Sequence, residues 1–184
     1  MGGSSPSKEV SVAQIASRAQ EPITEHSVTD IKIPEDQVRY AFTAHFAEVE
    51  VDVETGFVDV VNYIAVHDSG TIMNALTAES QIRGSIIMGI GTALSEEMIV
   101  DENFGMISNP TLWSYRLPTQ TIVPPIKVEF IDPNDPYGPK SLGEIGMVPV
   151  PAVIGNAIFN ATGARLKEIP MTPDRVLRAL GKDI

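Results

Sequence analysis

The chain has no cysteine among its 184 residues. That excludes disulfides, thiolate nucleophiles, Cys-ligated zinc and Cys-held iron–sulfur clusters within it. Basic residues are few: 13 Lys and Arg stand against 24 Asp and Glu, a formal charge of −11. A chain this acidic repels nucleic acid and anionic membranes, so neither is an expected partner. No apolar run approaches the roughly 20 residues that a bilayer span requires. The Gly/Ser-rich opening contains no apolar signal core, so a cytoplasmic location is the default expectation.

What is present is apolar enough to fold: 43% hydrophobic residues support one sizeable core or two small lobes. Residues 1–9 have the composition of a flexible linker, and residues 10–184 read as the folded portion. Val12, Ile15, Ala16 and Ala19 recur at helical spacing behind Ser11, a candidate N-cap. Short extended pieces are expected over Ser27 to Ile33, closed by Pro34. From Tyr40 to Val66 apolar residues alternate on both sides of Glu54-Thr55-Gly56, which predicts a β-hairpin.

Thr77 to Met98 reads as a helix apolar on nearly all sides, and therefore buried. Its glycines each cost about 1 kcal/mol against alanine, so something should approach its backbone closely. Gly84, Gly89 and Gly91 match neither the phosphate-loop nor the dinucleotide pattern: no Gly-Lys-Ser/Thr is present, and position 94 is Leu94. Asn103 to Pro110 reads as a turn region, Ile126 to Ile131 as a strand, and residues 132–139 as a loop. Pro149 to Leu166 returns to helical spacing with Gly163 as a stop. A last helix starts at Thr172 (N-cap), Pro173 and Asp174. The sum is an α+β fold: two layers, with helices packed on a mostly antiparallel sheet.

Chemistry is harder to find. His26, His45 and His67 are far apart in sequence, without metal-ligand spacing, and read as structural or surface residues. The loop Gly138-Pro139-Lys140-Ser141-Leu142-Gly143-Glu144-Ile145-Gly146 is the most suggestive stretch. Its glycines let a backbone approach a ligand, and amides ahead of a helix suit an anion. Glu144, just before an apolar run, fits a partly buried carboxylate suited to general-base work. By pattern alone it fits an exposed loop glutamate as well.

Four ordered blocks then resemble the molybdenum hydroxylases, the xanthine dehydrogenase and aldehyde oxidase family. They are Val51-Asp52-Val53-Glu54-Thr55-Gly56, Asp68-Ser69-Gly70-Thr71-Ile72-Met73-Asn74, Gln81-Ile82-Arg83-Gly84 running on to Glu97, and the Gly138 to Glu144 loop. The stretch from Ala157 to Pro173 is similar to the family's closing helix and tail. The resemblance implies the C-terminal part of a molybdopterin-binding subunit. It implies Glu144 as the catalytic general base, with Gln81, the backbone of Lys140, Ser141 and Leu142, and Gly143 holding the pterin and its phosphate. None of these residues is implied as a metal ligand.

The resemblance further implies a molybdenum–molybdopterin cofactor shared with the rest of that subunit. Iron–sulfur clusters and FAD are then expected on other domains or subunits, the substrate being a small aldehyde, purine or N-heterocycle. An oligomeric assembly follows. The alternative is a non-catalytic cofactor-binding or assembly module of the same fold. Two departures stand out: Arg83 where the family often has an acid, and Ile145-Gly146 in place of a commoner proline pair.

Overall fold

In the computed structural model, the Asp52 carboxylate accepts the amides of Glu54 (2.8 Å) and Thr55 (3.2 Å) and so folds the turn between the first two strands. Gly56 completes that turn at φ 77°, the left-handed region open to glycine. A Cβ there would also strike the Pro173 carbonyl. The structure describes residues 10–19, 21, 22, 24–28, 34–36, 38–131 and 135–183. The expected linker over residues 1–9 and most of the extended stretch at 27–33 lie outside these.

The chain falls into two units, Met1–Lys32 and Ile33–Ile184. The first contains α1 (Val12–Arg18), closed by a reciprocal box in which Ser11 Oγ accepts from Gln14 N and Gln14 Oε1 accepts from Ser11 N. None of its residues is buried.

In the second unit, β1 (Phe42–Val51) and β2 (Val58–Asp68) pair antiparallel as the alternation predicts. The register shifts beside Glu48 and Val49, which leaves Val61 as an extra residue in β2. This bulge explains why Val58 and Val60 are buried at even positions but Tyr63, Ala65 and His67 at odd ones. After β2 come α2 (Ala75–Leu94), a short pair β3 (Val100–Asp101) and β4 (Met106–Ile107), and β5 (Ile126–Phe130). Then follow α3 (Val150–Thr162) and α4 (Pro173–Ala179).

β5 pairs with β2 in parallel, so the main sheet is mixed, with order β1-β2-β5. Sequence alternation reports burial on one face but not strand direction. Here the long crossover through α2 and the 95–125 segment brings β5 back parallel. The fold is α+β. α3 packs on β1, and α2 on α3 and β5. The core joins Tyr63, Ile82, Ile86, Ile90, Ile154 and Ile158, all buried. Each buried isoleucine contributes about 1.5–3 kcal/mol of transfer free energy.

α2 departs from its expectation in two ways. It is buried mainly along one face (Ala78, Ile82, Ser85, Ile86, Gly89, Ile90, Ala93) and, off that face, at Gly91, whereas Gln81, Gly84 and Met88 are exposed. Apolarity marks a tendency to be covered, and among the described residues these positions of the helix stay uncovered. It also ends at Leu94, short of Met98, because the Ser95 and Glu96 amides both turn back to the Gly91 carbonyl. That turn frees Glu97 to pair with Arg175 at 2.8 Å.

The close-packing reading holds at Gly89, where a Cβ would sit 2.5 Å from that of Val150, and at Gly91, against Glu96 and Pro118. It does not hold at Gly84, which has nothing within 4 Å of that position. α3 ends at Gly163 in the left-handed conformation, as expected. Thr172 precedes α4, but its hydroxyl donates to Asp174 Oδ1 (2.5 Å) and caps no amide. No helix among the described residues is long and apolar enough to cross a membrane.

Candidate functional site

The Asp68-x-Gly70-x-x-x-Asn74 block is built from three separate local necessities. Asp68 closes β2 and accepts the Lys140 ammonium through both oxygens, each at 2.9 Å. Gly70 adopts φ 66° and lies so close to the later loop that a Cβ would come within 2.5 Å of the Gly138 carbonyl. Asn74 caps α2, its Oδ1 accepting the Thr77 amide at 3.1 Å. The block therefore ends a strand, receives a distant loop and starts a helix within seven residues.

That loop is the Gly138–Glu144 stretch. Its first part is stitched to residues 69–71 by Lys140 N to Ser69 O (2.8 Å) and Thr71 N to Gly138 O (3.2 Å). Its far end is held by Gln81, whose Nε2 donates to Gly143 O at 2.9 Å. Leu142 is half-buried against the core between the two anchors. Gln81, Lys140, Ser141, Leu142, Gly143 and Glu144 are thus brought to one place by contacts between residues more than sixty apart in the chain.

Among the described residues, the amides of Ser141, Leu142, Gly143 and Glu144 donate to nothing. Of these four residues Leu142 lines a cavity of about 280 Å³, together with Ser69, Asn74, Gln81 and Lys140 among others. Ser69 Oγ is buried without a partner among the described residues. Gly84, one turn along α2 from Gln81, has open space where a side chain would stand, as does Gly143. Successive free amides on a glycine-containing loop suit a phosphate-bearing ligand.

Glu144 is exposed rather than half-buried. The apolar run after it turns inward at Ile145 and Val150, while Gly146 lets the chain pass close to Ser85 and Ile82 of α2. The Glu144 carboxylate makes no hydrogen bond or ion pair among the described residues. Arg83, the departure on α2, is engaged by Glu79 one turn earlier at 2.6 Å.

Sequence reasoning missed two features. Asp135 reaches Lys140 at 3.1 Å, and Arg39 donates to the Gly138 and Pro139 carbonyls at 2.7 Å each. Neither carries a local signal, because both depend on the loop's return to β2. The second is a buried pair, His45 and His67, with Nε2 atoms 3.1 Å apart. Nothing in their spacing, 22 residues on different strands, announces it. No group of three or more metal-ligating side chains exists among the described residues. A larger cavity of about 580 Å³ lies elsewhere, at the C-terminal end of α2 between Phe57, Leu94 and Met171, and contains none of the loop residues.

Comparison with known proteins follows the same lines. Residues 3–124 match the family described as molybdopterin cofactor-binding domain. The xanthine dehydrogenase molybdenum-binding subunit of Escherichia coli is 43% identical over 74% of this chain, which spans 18% of that protein. The aldehyde oxidoreductase molybdenum-binding subunit of the same species is 38% identical over 85% of the chain, which spans 22% of it. Among solved structures, quinoline 2-oxidoreductase from Pseudomonas putida superposes with a TM-score of 0.69 at 34% identity, over 76% of this chain and 18% of that one. The chain spans about a fifth of the length of these relatives. It belongs to the molybdopterin cofactor-binding domain family of the molybdenum hydroxylases.

Proposed function

We propose that this chain forms one wall of the molybdopterin site of a molybdenum hydroxylase and supplies Glu144 as the general base. The observation that carries the proposal is the state of Glu144: an exposed, unpaired carboxylate beside four free amides, on a loop tied at both ends. A base must be accessible and positioned before its proton affinity matters. The free amides of Ser141, Leu142 and Gly143 would hold the cofactor's phosphate and pterin edge. Backbone donors suit a chain whose net charge of −11 offers a phosphate little else. Gln81 fixes the loop through its amide nitrogen and keeps its oxygen as an acceptor.

The molybdenum cofactor, when bound, supplies two-electron redox chemistry. Glu144 would take the proton from the oxygen nucleophile during hydroxylation of an electrophilic carbon. The relatives are named for xanthine, aldehydes and quinoline, so the substrate class is a purine, an aldehyde or an N-heterocycle. Electrons would leave through iron–sulfur clusters and FAD on other domains or subunits, since no cysteine is present here to ligate a cluster. The remaining part of the molybdenum subunit is the first partner. A two-layer arrangement, with helices covering one sheet face, agrees with the packing of α2 and α3.

The test is Glu144→Gln in the assembled enzyme. Turnover should fall by about 10²- to 10⁴-fold, the usual contribution of a general base, with molybdenum content unchanged. Full turnover would overturn the catalytic assignment and leave a cofactor-handling or assembly role.

A further inference from the structure

Lys140 lies in the loop that the family resemblance assigns to the cofactor's phosphate, yet its ammonium is already engaged. An ammonium has three protons. Three carboxylate oxygens surround this one: Asp68 Oδ1 and Oδ2 at 2.9 Å and Asp135 Oδ2 at 3.1 Å. The side chains of Lys140, Asp68 and Asp135 are 12%, 20% and 8% exposed, so the cluster is largely closed to solvent. One cation between two carboxylates carries net charge −1, and counting Arg39 the group is neutral, so it has no excess positive charge to offer a phosphate. Arg39 adds a second cation, but its Nη2 donates to the Gly138 and Pro139 carbonyls. Both cations therefore face the loop's own root.

We propose that Lys140 is a positioning residue: its clasp on Asp68 and Asp135 seats the loop on the end of β2 and so places the Ser141–Gly143 amides and Glu144, while the ammonium itself does not hold the phosphate. This rests on the reading of that loop as the cofactor wall. The clasp holds the near end and Gln81 the far end, so the amides between have little freedom to wander. Hydrogen bonds to Asp68, and to a lesser extent Asp135, also hold the lysine's proton more firmly than usual, so it stays charged throughout the neutral range.

The test uses the assembled enzyme with Lys140→Met, Lys140→Arg, Asp135→Asn, Asp68→Asn and the double change Asp68→Asn with Lys140→Met. Three quantities are read: molybdopterin content, kcat and KM, and hydrogen exchange of the 141–144 amides. Lys140→Met should keep its cofactor and lower kcat by about 10- to 100-fold, the scale of a small misplacement near the chemistry. Exchange at 141–144 should quicken as the loop opens locally. Lys140→Arg should recover most of both effects. Asp68→Asn should add little to Lys140→Met, because both remove the same contact.

Asp135→Asn, which removes one of the two carboxylates, should show the same pattern at smaller size even where Lys140→Met fails to assemble. Loss of cofactor with unchanged loop exchange would overturn the proposal in favour of a phosphate ligand, as would additive effects in the double change. Glu144→Gln with full turnover would refute the catalytic reading, yet the exchange measurement would still decide the clasp.

Discussion

His45 Nε2 lies 3.1 Å from His67 Nε2 in the core, and His45 Nδ1 lies 2.9 Å from the Tyr63 hydroxyl. A hydrogen bond between two ring nitrogens needs one protonated and one bare, so the rings as seated cannot both be cations. Burial, and for His45 also the neighbouring ring, pushes both down from 6.5 to about 4. Unfolded rings take up protons near 6.5, and the folded pair resists until about 4.

Between those values the unfolded state binds more protons, so stability must fall as pH falls. The contribution is complete above 6.5, declines through the window and is gone below about 4. At about 1.4 kcal/mol per pKa unit, the loss is on the order of 3 kcal/mol for one ring. Asp52, Asp135 and Asp174 are held below the ordinary 3.8 and so titrate beneath this window. Thermal melts from about pH 7 down to about pH 4 should show the melting temperature dropping through it. A flat profile would overturn the argument.

Gly84 and Gly89 lie on the same helix and should respond oppositely to alanine. Gly89 has no room, with Val150 atoms 2.5–3.0 Å from the added carbon. Gly89→Ala should cost on the order of 1–3 kcal/mol by forcing α2 and α3 apart. Gly84 meets nothing, so Gly84→Ala should gain about 0.5–1 kcal/mol from helix propensity. Urea unfolding of the two variants is the measurement. Equal effects would mean that the α2–α3 crossing is looser than described.

The segment after α2 leaves large apolar side chains exposed, Leu112 at 82%, Trp113 at 97% and Phe104 at 79%. Burying apolar side chains this large against a second copy would remove them from water. The chain on its own should self-associate, and Leu112→Gln with Trp113→Gln should shift it toward a monomer in light scattering. A monodisperse wild-type chain at high concentration would refute this.

Much of the fold could be read locally. The β1–β2 turn was legible at Glu54-Thr55-Gly56, the end of α3 at Gly163, and the start of α1 at its N-cap Ser11. The two-residue strands β3 and β4 could not be read, because two residues carry no period. The direction of β5 could not either, since Ile126, Val128 and Phe130 would alternate identically in both directions. The candidate site was legible as a set of residue types: glycines, Gln81 and Glu144 in the order of the resemblance. Its state was not, for Glu144 proved exposed and Lys140 paired.

The sequence alone determined what the chain can and cannot hold: no thiolate, little positive charge, a glycine loop ahead of an apolar helix, and ordered blocks that resemble one family. These depend on residue type and short spacing, which a linear string records. Only the tertiary structure decided which groups are occupied and which are free. Lys140 meets Asp68 across 72 residues, Gln81 meets Gly143 across 62, and His45 meets His67 across 22. Such pairings form when packing brings distant backbone together. A polar group's role then depends on whether folding has already given it a partner.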